Sequence, residues 1–434
     1  MAPSSVLSFN NLSIKEINRH KLFATIYRNP NLPKLRLSQI LDMSLSTIDS
    51  NVKRLLHEGL IVASGPLKST GGRKALGYVI NARHKSAIGV FIRAESVIIC
   101  AVDLNGALIA QSEIPLPYQR HDSFWQHLAS EVNAFIAATP ELNPYAILGV
   151  SLAIQGIVAI EGEQSHVIYG QLLNNQALSL SAIQRFFTLP CALHHDSKAA
   201  AFAALWEHPQ LENAALFLLN ENLGGALIFN NTVHYGNAFQ GGLIEHLKVD
   251  HEGRTCYCGD HDCLECYCSK HALEAQAGLP LPSFFAHLRA GSSPANGLNL
   301  SQVWQRYLEH LSIAIRQVHK LVDGTIILTG ALAPYLTEQD LAQLVALTNE
   351  HNAFPVISAL APKAHEHTLT TVALSADETQ VGDLLLSLQD DSIVALGAAR
   401  YLINAYLEYF EANPISDPRC NLATIKLHLP EQHF

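Results

Sequence analysis

The sequence predicts an α/β protein in which a large body of strands and helices follows a small basic head of three helices and a β-hairpin. Three observations carry that reading. Apolar residues recur at helical spacing in short segments up to Leu56, and from Ala87 the texture changes to β-rich apolar runs separated by turns. The 434-residue chain has a net charge of −10, yet residues 1–86 hold 13 Lys+Arg against 4 Asp+Glu, a net of +9, which leaves −19 on the remainder. A basic head on an acidic body implies that only the head meets a polyanion. Finally, 48% hydrophobic and 15% charged residues allow sizeable cores, and at roughly 100–200 residues per domain the chain holds two to four of them. Membrane insertion is not expected. The most apolar run, residues 144–160, is interrupted by Gly149, Ser151, Gln155 and Gly156 and falls short of the roughly 20 residues a span needs, so two buried strands explain it better.

In the head, Ile14, Ile17, Leu22 and Ile26 lie on one face of a first helix that ends near Asn29-Pro30. Leu37, Ile40 and Leu41 mark a second helix, with Ser38 placed to cap it, and Met43-Ser44 turns into a third whose buried stripe is Ile48, Val52, Leu55 and Leu56. Gly59 ends it. The opposite face of the third helix carries Ser46, Thr47, Ser50, Asn51, Lys53 and Arg54. Hydrogen-bonding side chains near the N-terminus and cations beyond are what a recognition helix presents to a major groove. Asp49 fits poorly against phosphates and better as a partner that orients Lys53 one turn on. Residues 60–62, a basic loop through Thr70-Gly71-Gly72-Arg73-Lys74, and residues 76–80 describe a wing, whose tip would set Arg73 and Lys74 on the DNA backbone or in the minor groove. A helical docking domain with a solvated loop is the alternative; the element order and the +9 charge favour double-stranded DNA.

In the body, residues 88–92, 97–103 and 108–116 read as a three-strand meander with an Asn105-Gly106 turn, followed by a helix over 123–138 and a strand over 146–152. A second set of strands lies at 214–219, 223–229 and 233–234, turning at Asn230-Asn231. Helices around 300–322 lead into a strand at 325–328, and 392–407 is helical. Periodicity alone gives α/β. Strands followed by a crossover helix, twice over, describe a duplicated actin-like (ribonuclease H-like) architecture.

His246, Cys256, Cys258 and Cys263 are the metal-ligating candidates. Three thiolates and one imidazole close a tetrahedral structural Zn2+ site with no position left for water. Gly259 can take a left-handed turn that lets the sulfurs of Cys256 and Cys258 point the same way. A disulfide would need an oxidising compartment, and no signal segment is visible before Leu12, so the chain reads as cytoplasmic. Cys266 and Cys268 lie close enough to substitute as ligands. Cys100, Cys191 and Cys420 are scattered and read as small buried hydrophobes.

The run Cys256 to Glu265, together with the head, resembles the ROK family, which groups bacterial sugar-responsive repressors with sugar kinases. The family signature Cys-x-Cys-Gly-x2-Gly-Cys-x-Glu is present with Asp262 where the family has glycine, and the upstream His246 matches too. Thr70-Gly71-Gly72-Arg73 and the winged helix look like the repressor branch, of the Mlc/NagC type. The resemblance runs from about Ile14 to the C-terminus. It implies a winged helix-turn-helix DNA-binding domain over 1–82 and, over 83–434, a sensing and oligomerisation domain of two actin-like lobes with a structural zinc. It further implies a cytoplasmic homodimer or homotetramer that represses sugar uptake or metabolism genes, reads a palindromic operator, and answers to a sugar, a sugar phosphate or a sugar-transport protein.

The kinase branch of the family makes the alternative testable. An ATP site of this fold needs an Asp-x-Gly-x-Thr loop after the first strand, and this chain has Phe91-Ile92-Arg93-Ala94-Glu95. The second phosphate loop, Gly-Thr-Gly in the kinases, reads Asn220-Glu221-Asn222. Both cradles look dismantled, although Gly224, Gly225 and Thr329-Gly330-Ala331 remain, so no enzymatic activity is expected and a sugar kinase is the runner-up. On the sugar side, an Asn-Asp pair of the family is matched by His195-Asp196, leaving Asp196 to accept from a hydroxyl or merely to cap the helix 197–206. The family run Gly-Glu-x-Gly-His becomes Gly242-Leu243-Ile244-Glu245-His246, so either Glu245 takes over the sugar contact or that contact is lost. Glu265 completes the candidate effector residues beside His195, Asp196, Glu245 and His246; otherwise it is an exposed helix carboxylate. A third reading is a docking regulator that has lost its sugar.

Overall fold

The computed structural model describes residues 11–66, 75–161, 164–170, 178–292, 294, 297–350, 378–381 and 384–412. The head is built from α1 (Asn11–Arg28), β1 (Leu32–Pro33), α2 (Lys34–Leu41), α3 (Leu45–His57), β2 (Ile61–Pro66) and β3 (Leu76–Ile80). Leu22, Phe23 and Ile26 of α1 meet Leu37 of α2 and Ile48, Val52 and Leu55 of α3 in a fully buried core that Leu60, Ile61, Tyr78 and Ile80 close. The three strands pair in the order β1-β3-β2, the sheet of a winged helix. Two details of the expected pattern change. Leu56 and Ile40 point to solvent, at 38% and 52% exposure, because neither faces the α1 side of its helix. Ser38 does not cap α2: the chain enters that helix directly from β1 with Pro33 at the N-cap, and the Ser38 hydroxyl donates instead to the Met43 carbonyl.

The body comprises two sheets made by one plan. The first uses β4 (Ser86–Ile92), β5 (Val97–Asp103), β6 (Leu108–Ile114), α4 (Asp122–Ala138), β7 (Ile147–Ile154), β8 (Ile157–Glu161), β9 (Gln164–Tyr169), β10 (Leu178–Ser179), α5 (Leu180–Gln184), β11 (Cys191–His195) and α6 (Asp196–Glu207). The second uses β12 (Ala214–Leu219), β13 (Leu223–Phe229), β14 (Thr232–His234), α7 (Glu265–Cys268), α8 (Lys270–Ala277), α9 (Leu281–Ala290), α10 (Leu300–His319), β15 (Thr325–Thr329), α11 (Glu338–Asn349), β16 (Glu378–Val381), β17 (Leu384–Ser387) and α12 (Ile393–Ala412). Strand order is β11-β7-β4-β5-β6 in one sheet and β14-β13-β12-β15-β17-β16 in the other. Each sheet starts as an antiparallel meander and then adds strands parallel to its first: β7 beside β4, and β15 beside β12. The central parallel strands are buried along almost their whole length because both faces are covered.

Helix α6 lies between the sheets, and α12 packs along it and over β4. Glycine makes that contact possible: a Cβ on Gly397 of α12 would run into the Ala199 carbonyl of α6, and one on Gly89 of β4 into the Ala395 carbonyl. The antiparallel sheet β10-β9-β8 hangs beyond β7 and walls the pocket described below. Among the described residues no helix is long and apolar enough to cross a membrane.

Candidate functional site

On α3, Ser44 caps the helix by accepting from the Thr47 N–H at 3.1 Å, and its hydroxyl also bonds the hydroxyls of Ser46 and Thr47. Ser46, Ser50, Lys53 and Arg54 are exposed, while Thr47 and Asn51 are half-buried and Asn51 donates to the Thr47 carbonyl. Asp49 pairs with Lys34 and with Lys53, the latter at 2.8 Å, and Lys34 first and then Lys53 hold its carboxyl down to about 2. Arg54 is tied to Glu16 at 2.7 Å and to Glu58 at 2.9 Å, so that guanidinium is shared with the body of the head. Arg73 and Lys74 lie outside the described residues.

The side chains of His246, Cys256, Cys258 and Cys263 converge, with all four ligand atoms within 4.8 Å of one another, a group that could hold a metal ion. The Cys258 and Cys263 sulfurs are 3.8 Å apart and the Cys256 sulfur lies 3.7 Å from His246 Nδ1. These are tetrahedral-edge distances for metal–sulfur bonds of about 2.3 Å. Burial and mutual proximity push the thiols of Cys256 and Cys263 up, so ionising these two side by side calls for a cation beside them. Cys268 turns away to the Tyr307 carbonyl, whereas Cys266 stands beside the group, its thiol near Cys256 and 3.9 Å from the Arg254 carbonyl. Backbone geometry explains the family glycine that this chain lacks. Asp262 sits in the left-handed region at φ 62, and its carboxylate accepts from the N–H groups of Gly253 and Arg254 and from the Tyr267 hydroxyl at 2.6–2.9 Å. Those bonds offset the roughly 1 kcal/mol that a Cβ costs there. Gly259 adopts φ 94, the left-handed turn expected between the two knuckle sulfurs and Asp260.

Beside this cluster lies a cavity of about 340 Å³, lined by His195, Asp196, Glu245, His246, Tyr169 and Tyr257 among others. His195 closes β11 and Asp196 opens α6; the N-cap position falls on His195, and Asp196 accepts from the Ser197 N–H at 2.6 Å. Burial pushes the Asp196 carboxyl up to about 7, against the Ser197 N–H and Lys198, and pushes the Glu245 carboxyl up to about 8. Lys198, only 2% exposed, donates to the carbonyls of Gly225 and Gly241. Burial lowers it to about 8 although Glu245 and Asp196 support its charge. Glu245 Oε2 and His195 Nδ1 are buried with no hydrogen-bond partner. With Nδ1 of His246 turned to the sulfurs, Nε2 faces Glu245 Oε1 at 4.0 Å. Leu243 lines the same cavity with an apolar side chain. Glu265 is placed differently: it is buried rather than exposed, and both its oxygens accept, from Asn222 Nδ2 at 2.6 Å and from the Leu223 N–H at 2.7 Å. It braces the turn before β13 and is not among the residues that line the cavity.

At the positions that the resemblance matches to the two phosphate loops, the side chains pair within the chain. Arg93, after β4, pairs with Asp391 at 2.6 Å and with Glu113, fastening the first sheet to the segment that leads into α12. Asn220 fills the space over Gly330 and accepts from the Ala331 N–H at 2.8 Å. Glu221 lies 3.7 Å from Lys270. Sequence reasoning missed Lys198 and the wall formed by Tyr169 and Tyr257. Lys198 falls inside an alanine-rich helix and Tyr169 on β9, a strand the sequence does not announce, so neither carries a local signal.

Two duplicated actin-like lobes with a His/Cys cluster on the second, preceded by a winged helix, define the class of protein. The ROK family profile matches residues 87–368, and the chain belongs to the ROK family. It is 25% identical over 253 residues to the xylose repressor of Bacillus spizizenii, covering 57% of this chain and 64% of that protein. It is 24% identical over 266 residues to the N-acetylglucosamine repressor of Escherichia coli O6:H1, covering 60% and 64%. The matches thus span under two thirds of these curated relatives. Among solved structures, a ROK family transcriptional regulator homologous to the E. coli MLC protein superposes with a TM-score of 0.65 at 19% identity, covering 93% of this chain and 98% of that one. A ROK family glucokinase from Streptomyces griseus gives 0.56 at 16% identity, covering 73% and 98%. These two likenesses concern the fold.

Proposed function

We propose that the protein is a DNA-binding, sugar-responsive transcriptional repressor. One observation carries the reading: the chain joins a winged helix with an exposed polar recognition face to a body that keeps a polar sugar-sized pocket while its own side chains pair within the chain at the positions matched to both phosphate loops. Ser46, Thr47, Ser50, Asn51 and Lys53, with Arg73 and Lys74 from the sequence between β2 and β3, supply the DNA contacts; Arg54 braces α3 against α1 through Glu16. The head spans 1–82 and the body 83–434, and the body holds zinc through His246, Cys256, Cys258 and Cys263. That ion is structural, and it fixes His246 against the pocket. His195, Asp196, Glu245 and His246 face the effector, and Glu265 acts through the turn it braces. The protein works in the cytoplasm as a homodimer or homotetramer on a palindromic operator. The relatives named for xylose and N-acetylglucosamine support sugar control of such a repressor.

A random-site selection with the full chain is expected to return a palindrome whose half-sites lie whole helical turns apart, bound with strong salt dependence. A chain that prefers no sequence would sink the reading. Asp196 keeps a carboxylate where a phosphoryl-accepting sugar would sit, which favours a kinase as the second reading. Turnover of ATP over a panel of hexoses, lost in Asp196→Asn, would establish it; we expect none. Binding of a sugar-transport protein in place of a sugar is the third outcome that the same protein can be screened for.

A further inference from the structure

We propose that a different cavity, at the joint between the head and the body, binds a neutral aromatic molecule of one or two fused rings, and that a molecule held there acts on the head. The cavity measures about 570 Å³ and shares no described lining residue with the pocket at the start of α6. Tyr27 comes from α1 of the head, Phe202 and Trp206 from the far half of α6, Tyr235 from the chain just after β14, and Tyr401 from α12. Rings from four separate segments thus line one space. Trp206 is set in place by the body: its Nε1 donates to the Asn105 carbonyl at 3.2 Å, and its ring lies so close over Gly106 that no Cβ fits between them. Phe202 stands edge to face with Tyr401 at 5.7 Å and is tilted to Trp206 at 6.4 Å, so these rings do not stack on one another and close the space. Rings fixed in this way receive a planar ligand at little cost in ordering.

The polar groups select the kind of ring. Tyr401 is 9% exposed, and neither its hydroxyl nor that of Tyr235 makes a hydrogen bond to a described residue. Burial pushes the Tyr235 phenol up to about 12 and the Tyr401 phenol well above its ordinary value, so both are neutral at neutral pH and can donate or accept. A buried hydroxyl left unpaired is costly, and a ring nitrogen, an N–H or a hydroxyl on a ligand would satisfy it. The amide donors nearby are already taken: Asn231 Nδ2 by the Pro209 and Leu211 carbonyls, and Asn404 Nδ2 by Glu408, each at 2.8 Å. Rings are therefore the main surface and phenols the polar handle, whereas a sugar needs several convergent polar groups. Arg28 and Glu408, the charged residues of the described lining, are both exposed and of opposite sign, so a charge buried on the ligand would find no partner of its own. Because Tyr27 and Arg28 belong to the head and the other rings to the body, a molecule that prefers one spacing of the two biases the position of the head. That consequence rests on the DNA-binding reading above; the binding does not.

The test is calorimetric titration of the full chain with indole, adenine and adenosine, with glucose and xylose as controls, repeated on two variants checked by melting temperature. Thr232→Trp fills the cavity from an exposed position on the edge strand β14, and Tyr401→Phe removes one phenol while keeping its ring. We expect at least one aromatic probe to bind, Thr232→Trp to abolish that binding, and Tyr401→Phe to weaken it about threefold or more. The bound probe is then expected to change the affinity for the selected operator about fivefold or more. The site is overturned if none of the aromatic probes binds, if Thr232→Trp leaves their binding intact, or if glucose or xylose binds and Thr232→Trp abolishes it. Binding with no change in operator affinity overturns the action on the head. A chain that selects no operator ends the DNA-binding reading and with it that action, while the site itself is still decided by the titration.

Discussion

At the scale of single residues, Asp196 shows how position alters chemistry. Its sequence context suits a helix cap, and its burial at the head of α6 makes it a carboxyl pushed up to about 7 from an ordinary 3.8. A group whose folded pKa exceeds its unfolded value favours the fold most below the unfolded pKa, and that contribution is lost as pH rises through the folded one. Asp196→Asn should therefore gain stability relative to the parent protein as pH rises from about 4 to 7, by at most about 4 kcal/mol. His195, pushed down to about 3 by burial and Lys198, acts in the opposite sense below its ordinary 6.5, and at 3.4 Å from Asp196 it is coupled to the substitution. Urea unfolding of both at several pH values measures this; a difference that does not change with pH would mean that Asp196 is solvated. Glu265 teaches the converse. Its place in the family signature marked it as a ligand contact or a surface carboxylate, and only the fold shows it buried with both oxygens engaged by the turn before β13.

At the scale of elements, the segment from His246 to Cys263 has almost no regular structure to hold it, only two isolated bridges, Lys248 to Cys263 and Thr255 to His261. A metal held by the four side chains would order a loop of this kind, since ligand ionisation and loop closure are coupled to binding. Elemental analysis should find one zinc per chain, and Cys258→Ser or a strong chelator should release it, lower the melting temperature and expose this loop to proteases. A stable full-length protein that carries no metal and resists proteolysis here would contradict the assignment. The four ligands were legible because their types and spacing are local. So was α3, whose cap Ser44 and polar face lie within a few residues of each other. Strands β9 and β11 were not read; β11 is short and buried throughout, so it carries no alternation, and its partner β7 lies some forty residues earlier.

At the scale of the whole molecule, α6 and α12 join the functional parts. Helix α6 begins at the pocket with Asp196 and carries Trp206 in its last turn, which lines a second cavity of about 570 Å³ together with Tyr27 and Arg28 of α1 and Tyr401 of α12. Arg400 of α12 ties the pair by bonding Glu207 of α6 and the Gly106 carbonyl. The contact between the helices depends on Gly397, where no side chain fits. Gly397→Val should force them apart and cost more than about 3 kcal/mol, read as a lower denaturation midpoint. Unchanged stability would show that the pair is not the close-packed unit seen here.

The sequence by itself determined the basic head, the His/Cys group that could hold a metal ion and the departures from both phosphate-loop patterns, because each is a matter of residue type within a short stretch. Tertiary structure decided what those residues face. Lys198 is committed to two carbonyls, Arg93 is paired with Asp391 across most of the chain, and Glu245 rather than Glu265 lines the cavity. Burial, charge pairing and pocket shape arise from contacts between distant segments, and no local pattern encodes which side chains a duplicated sheet will bring together.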